Sequence, residues 1–312
     1  MRTLLLVIAA LFALLSGGWF LVAWQIESRA EAALADLRAR GFSVDYADLS
    51  TTGFPSRFDT TATNLRLATP DGRVIWEAPF LRVTALSIRP NRVTTLWPQD
   101  QTLTLAGQRI DLSAKDLRAS ATVGLSTDLP LDEATIGSGL ATVQAENGLG
   151  FGMDRLAARA ARSGSAYDLF AEVEGLRPAT VSANIGLLRL DARVTLDAPL
   201  ELRSPTAPRF RGVALREVRL AQGDVALTGS GTLEPDAQGY LAGTVNLTAE
   251  NWPGLLDLLQ AAGLLAEQQR PFVEGALAQM AQGSDRIEVP VTFADGKVEA
   301  LGLVLLEAPR VL

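Results

Sequence analysis

Residues 4–24, LLLVIAALFALLSGGWFLVAW, hold no charged side chain, and this run restricts the fold more than any other part of the sequence. As a helix its 21 residues would span about 31 Å at about 1.5 Å each, matching the roughly 30 Å hydrocarbon core of a bilayer. Arg2 precedes the run, and Trp19, Phe20 and Trp24 close it with aromatic rings that favour a membrane interface. The apolar core of a cleaved signal peptide is shorter, about 7–15 residues. Residues 1–25 are therefore expected to be a retained transmembrane signal-anchor, with a cleaved signal as the alternative.

Orientation follows from two opposing arguments. Arg29, Arg38 and Arg40 outnumber Arg2, which by itself would hold the bulk of the chain in the cytoplasm. Long domains, however, translocate largely regardless of charge, and a very short leader before the span is the signal-anchor arrangement. The expectation is a single-pass protein of the inner (cytoplasmic) membrane with its body in the periplasm.

Residues 26–41 extend the helix as a stalk. Ala, Leu, Glu and Arg dominate, Gly41 stands where a helix-ending glycine belongs, and Ile26, Ala30, Ala33, Leu34 and Leu37 share one face. From Phe42 the apolar period changes to two, as in half-buried strands. Leu65 and Leu67 lead into Thr69-Pro70-Asp71-Gly72, and an Asp-Gly between apolar runs marks a hairpin. Residues 188–196, 225–233 and 241–249 alternate clearly, and 287–306 reads as a final hairpin around Asp295-Gly296. Asn251-Trp252-Pro253 ends a strand and opens a helix, and a second helix is expected near 264–282, with Pro271 kinking it or marking its start.

The fold class expected is mainly β with helices (α+β): an N-terminal span and stalk, a large curved antiparallel sheet over 42–312, and a helical pair near the C-terminus. Pro178–Ser182 and Arg203–Arg209 are linker candidates that would divide the body into halves near 178–209.

The chain has no cysteine and no histidine. Thiol nucleophiles, Ser-His-Asp triads and His- or Cys-ligated metals are thereby excluded. Lys115 and Lys297 are its only lysines, its net charge is −7, and its arginines are scattered, so nucleic acid is not an expected partner. Gly148-Leu149-Gly150-Phe151-Gly152 lacks the spacing and lysine of a phosphate loop, and Gly229-Ser230-Gly231 lacks the nucleophile-elbow pattern. Asp132 and Glu133, adjacent on a strand, would point to opposite faces. No catalytic residue, metal site or cofactor is expected.

Gly53-Phe54-Pro55-Ser56-Arg57-Phe58-Asp59 is the most distinctive segment. It reads either as a strand-to-strand bend or as a surface where Arg57, flanked by Phe54 and Phe58, meets an anionic headgroup or a partner carboxylate. Together with the N-terminal span, Asn251-Trp252-Pro253, the Asp295-Gly296 hairpin and Ala308-Pro309-Arg310, it resembles an uncharacterised alphaproteobacterial membrane-anchored family, domain of unknown function 2125. More loosely, an anchor followed by amphipathic strands is similar to AsmA-like envelope proteins. That likeness implies lipid transport or outer-membrane homeostasis.

The functional expectation is a non-enzymatic, membrane-anchored envelope module that binds or scaffolds. Its partners would be the bilayer and either a bound lipid or another envelope protein. The apolar strand faces would form either a filled core or a groove for acyl chains. The alternative is an assembly factor acting through a sheet edge or the stalk helix.

Overall fold

A computed structural model describes residues 2–179, 184–204, 206–300 and 303–311. The chain forms two compact units: residues 1–122 with 142–147, and residues 123–141 with 148–312. Both are dominated by antiparallel strands.

The first unit opens with α1 (Arg2–Ala39), so the expected span and stalk are one unbroken helix. It ends at Gly41, whose φ of +90° suits a glycine, and Phe42 N–H reaches back to the Leu37 carbonyl at 3.1 Å. Among the described residues no helix is long and apolar enough to cross a membrane. The side chains at 4–11 and 15, part of the expected span, lie outside the described residues. The transmembrane reading of α1 thus draws no support from the structure and rests on the sequence.

Strands β1 (Ser43–Asp45), β2 (Asp48–Thr52), β3 (Arg57–Ala68) and β4 (Val74–Leu86) follow. β3 is the hub, with β1 and β2 on one edge and β4 on the other. The β3–β4 turn is the expected Asp-Gly hairpin. Thr69 hydroxyl and Arg73 N–H donate to Asp71, in that order the main causes holding its carboxyl below the ordinary range. β4 then forks. Its residues 74–77 pair with β6 (Asp100–Leu105), and residues 82–86 pair with β5 (Arg89–Leu96). Pro79, which has no N–H to give a ladder, falls between the branches. β7 (Gln108–Ala114) pairs with β6, and β8 (Arg118–Val123) with β5.

The second unit is a meander. It contains β9 (Leu131–Ser138), β11 (Gly150–Met153), β12 (Arg155–Ser163), β13 (Ala166–Pro178), β14 (Ile185–Leu196), β15 (Phe210–Gln222), β16 (Val225–Pro235), β17 (Leu241–Glu250), β18 (Arg286–Ala294), β19 (Lys297–Ala300) and β20 (Leu303–Glu307); β10 (Ala141–Ala145) belongs mainly to the first unit. From β12 to β20 each strand pairs with the next, and β9 pairs with β12. The linker candidates of 178–209 lie inside this unit, where β13 and β14 pair antiparallel; residues 180–183 and 205 lie outside the described residues.

Two helices pack on one end of this sheet: α2 (Trp252–Ala261) and α3 (Arg270–Ala281), whose start at Pro271 resolves the two readings of that proline. Asn251 caps α2. Its side-chain oxygen accepts Gly254 N–H at 3.2 Å while its amide donates to Asp224, and Trp252 Nε1–H donates to the Ser284 carbonyl. Gly254 leaves no room for a Cβ, which would stand 2.7 Å from a Val225 methyl. Trp252, Leu256, Leu277 and Ala281 close over Ala249 and Ile287, forming the main core of the unit.

Leu256 is only 2% exposed. Leu256→Ala is expected to cost about 2–5 kcal/mol. A lower urea midpoint with an unchanged slope would show it.

Candidate functional site

The segment at 53–59 is built by a turn held against α1. Gly53 has a φ of +103°, and a Cβ there would stand 2.9 Å from the Arg57 carbonyl oxygen. The turn closes with Arg57 N–H on the Gly53 carbonyl at 3.1 Å, and the Phe54–Pro55 peptide is cis. Its aromatic rings meet those of the helix. Phe58 stacks on Trp19 with centroids 5.2 Å apart, and Phe54 stacks on Phe20 at 5.7 Å and meets Phe12 edge-on at 6.2 Å. Trp19 Nε1–H donates to the Arg57 carbonyl at 3.1 Å. Further along α1, Glu27 accepts Thr51 N–H and the Arg38 guanidinium donates to the Val44 carbonyl.

The three residues singled out by sequence therefore have different positions. Phe58 is 8% exposed and belongs to the helix–sheet contact with Trp19, Ala23 and Ile26. Phe54 is partly exposed at the tip. Arg57 points the other way. Its guanidinium pairs with Asp59 at 2.6 Å on the opposite face of β3, where Asp59 is buried.

Register builds that opposite face. Arg57 and Asp59 of β3 lie opposite Leu86 and Thr84 of β4, and Arg82 and Thr84 lie opposite Leu96 and Thr94 of β5. Arg57, Asp59, Arg82, Thr84, Leu86, Arg89, Arg92, Thr94 and Leu96 line an open groove of about 430 Å³. Arg82 Nε–H donates to the Thr61 hydroxyl at 3.1 Å, whereas no ion pair engages Arg89 or Arg92 among the described residues. Arg82, Arg89 and Arg92 escape sequence reasoning because nothing in their spacing brings them to Arg57. Only the strand register does.

A larger groove of about 830 Å³ lies elsewhere in the first unit, between the β4 fork and β7. Much of its polar lining is already paired within the chain. Arg66 pairs with Glu77 at 3.3 Å, Arg109 with Asp111 at 2.9 Å, Ser113 donates to Asp100, and Gln101 bridges Trp76 and the Pro98 carbonyl. Internal pairing on this scale marks a structural surface. Among the described residues no group of three acidic side chains is placed to hold a metal ion.

In the second unit the two sheet faces differ sharply. One carries a lattice of ion pairs: Arg159–Glu133, Arg189–Glu172 and Arg216 with both Asp168 and Asp191, each at 2.7 Å. Hydrogen bonding from Arg216 is the main cause holding the Asp168 carboxyl below its ordinary 3.8. Asp132 and Glu133 do point apart, towards Arg162 and Arg159 respectively. The other face, apart from the Asp132–Arg162 pair at one end, is apolar: Leu156, Leu169, Val173, Leu188, Leu190 and Val218 are aligned by register and only half-buried or exposed. α2 and α3 pack over the β16–β18 end. Of the two sequence alternatives, a filled core describes that end alone.

Fold and surfaces together define an antiparallel β protein carrying a long N-terminal helix, with a basic groove in one unit and an open apolar face in the other. The family described as an uncharacterized protein conserved in bacteria, DUF2125, matches residues 19–309, and the chain belongs to it. No curated protein and no solved structure matches the chain, so the looser AsmA-like resemblance is not shown.

Two predictions follow from these contacts. A double-mutant cycle of Trp19→Ala and Phe58→Ala is expected to give a coupling of about 0.5–1.5 kcal/mol beyond the area each ring buries, measured by denaturant unfolding. For Asp168, whose folded pKa is depressed, the stabilisation is present above the ordinary 3.8 and is lost as pH falls through the lower folded value. Arg216→Gln should thus melt slightly below wild type at neutral pH, with the gap closing as pH drops below 3.8.

Proposed function

We propose that the chain is a non-enzymatic, membrane-anchored envelope protein that binds lipid, held by α1 in the cytoplasmic membrane with its body in the periplasm. The uncovered apolar face of β12–β15 carries this reading. The strands β9, β12, β13, β14 and β15 lie side by side, and four intervals of about 4.8 Å make a strip about 19 Å long. One leaflet of a bilayer core is about 15 Å thick, so the strip accommodates an acyl chain laid across the strands. Ala134, Ala158, Ala160, Ala171 and Ala192 share this face and lower its floor.

Native mass spectrometry of the full chain extracted in non-ionic detergent tests the reading. Bound phospholipid is expected in wild type. Ala171→Trp, which fills the strip beside Ala158 and Leu190, should lower its occupancy with an unchanged circular dichroism spectrum. Wild type without any bound lipid would sink the proposal. A C-terminal alkaline phosphatase fusion is expected to be active, and an inactive, stably expressed fusion would place the body in the cytoplasm.

One observation favours the second reading, an assembly factor. Strand β20 pairs with β19 alone among the described residues, and its Val304, Leu305 and Leu306 are all exposed. An apolar edge of this kind accepts a strand from another protein. Photocrosslinking from position 305 in membranes separates the two: discrete protein adducts support strand addition, and lipid adducts alone count against it.

A further inference from the structure

We propose that the arginine-rich face of β3–β5 binds the phosphate of an anionic phospholipid headgroup, a proposal that rests on the membrane-anchored reading above.

The groove is electrostatically incomplete. Four guanidiniums, those of Arg57, Arg82, Arg89 and Arg92, face a single carboxylate, Asp59, in a chain whose net charge is −7. Asp59 is committed to Arg57 at 2.6 Å and fixes its position. Arg82 spends its Nε–H on the Thr61 hydroxyl, which leaves its terminal nitrogens for another acceptor. Arg89 and Arg92 have no carboxylate partner among the described residues. Like charges gathered in one concavity repel unless an anion sits among them. Phosphate oxygens match the planar guanidinium fork, and the Thr84 and Thr94 hydroxyls beside it supply further donors. A volume of about 430 Å³ gives room for a headgroup, not merely a bare ion.

Position selects the lipid source over a free anion. The groove lies at the strand ends tied to α1, since the Arg57 carbonyl accepts the Trp19 indole N–H. The β4–β5 turn is bound to the 53–56 tip there, with Ser87 Oγ–H on the Pro55 carbonyl and Ser87 N–H on the Ser56 carbonyl, both at 3.0 Å. These paired tips expose Phe54, Leu86 and Ile88, and Phe54 lies against the exposed rings of Phe12 and Phe20. An apolar tip collared by Arg57, Arg89 and Arg92 suits a bilayer interface: the rings enter the acyl boundary while the guanidiniums stay among the phosphates.

The test uses the full chain in non-ionic detergent and water-soluble, deacylated headgroups, followed by phosphorus NMR line broadening. Glycerophosphoglycerol is expected to bind saturably, more weakly as salt rises, and roughly tenfold or more tighter than glycerophosphocholine. Arg89→Gln combined with Arg92→Gln should lose roughly tenfold or more in affinity without lowering the thermal midpoint, because neither side chain holds a carboxylate partner among the described residues. Arg73→Gln, exposed and outside the groove, should bind as wild type. Equal binding of the two headgroups, an unaffected double variant, or inorganic phosphate binding as well as glycerophosphoglycerol would each overturn the proposal. The probes carry no acyl chain, so the outcome does not depend on the apolar strip. Headgroup binding without any co-purifying lipid would refute the lipid-handling reading alone.

Discussion

The indole of Trp19 does two things at once in the first unit. Its ring stacks on Phe58 and its N–H holds the Arg57 carbonyl, so one side chain fixes both a core contact and the backbone of the following strand. Because β-strand side chains alternate, seating Phe58 against the helix forces Arg57 and Asp59 onto the far face. The basic groove is thus a geometric result of the aromatic dock. Displacing one would displace the other, although they lie on opposite sides of the sheet.

In the second unit the same alternation yields two unlike surfaces. Arg189 lies between Glu172 and Glu217, and Arg216 between Asp168 and Asp191, so positive and negative charges interleave across strands. Exposed pairs of this kind add little stability individually. Their stronger effect is to keep that face hydrated and so commit the opposite face, with Leu188, Leu190 and Val218, to whatever apolar material is at hand. At the β16–β18 end that material is α2, anchored through Trp252.

Much of this architecture was legible in the residues. Asp71-Gly72 and Asp295-Gly296 made the turns expected of them, and Asn251-Trp252-Pro253 opened α2, because turn and cap chemistry is local. Strands β12 and β13 were harder to read. Their alanines, arginines and glutamates are good helix formers, and only the alternation of Tyr167, Leu169, Ala171 and Val173 with Asp168, Phe170 and Glu172 reveals a strand. For the candidate site, the 53–59 segment stood out but its division of labour did not. That Phe58 faces Trp19, or that Arg89 and Arg92 share a groove with Arg57, depends on a helix–sheet contact and successive strand registers that no local pattern encodes.

The continuity of α1 with its lateral fastenings has a mechanical consequence. From Trp19 on Arg57, through Glu27 on Thr51, to Arg38 on Val44, the C-terminal half of the helix is riveted to the sheet. There is no swivel between them, so helix and first unit turn as one body. Each residue inserted ahead of Trp19 would raise that body by about 1.5 Å and rotate it by about 100°. In the membrane-anchored reading proposed above, the helix would serve as a ruler as well as a tether, because the turns between its membrane-held part and Trp19 would set both the height and the compass bearing of the arginine face.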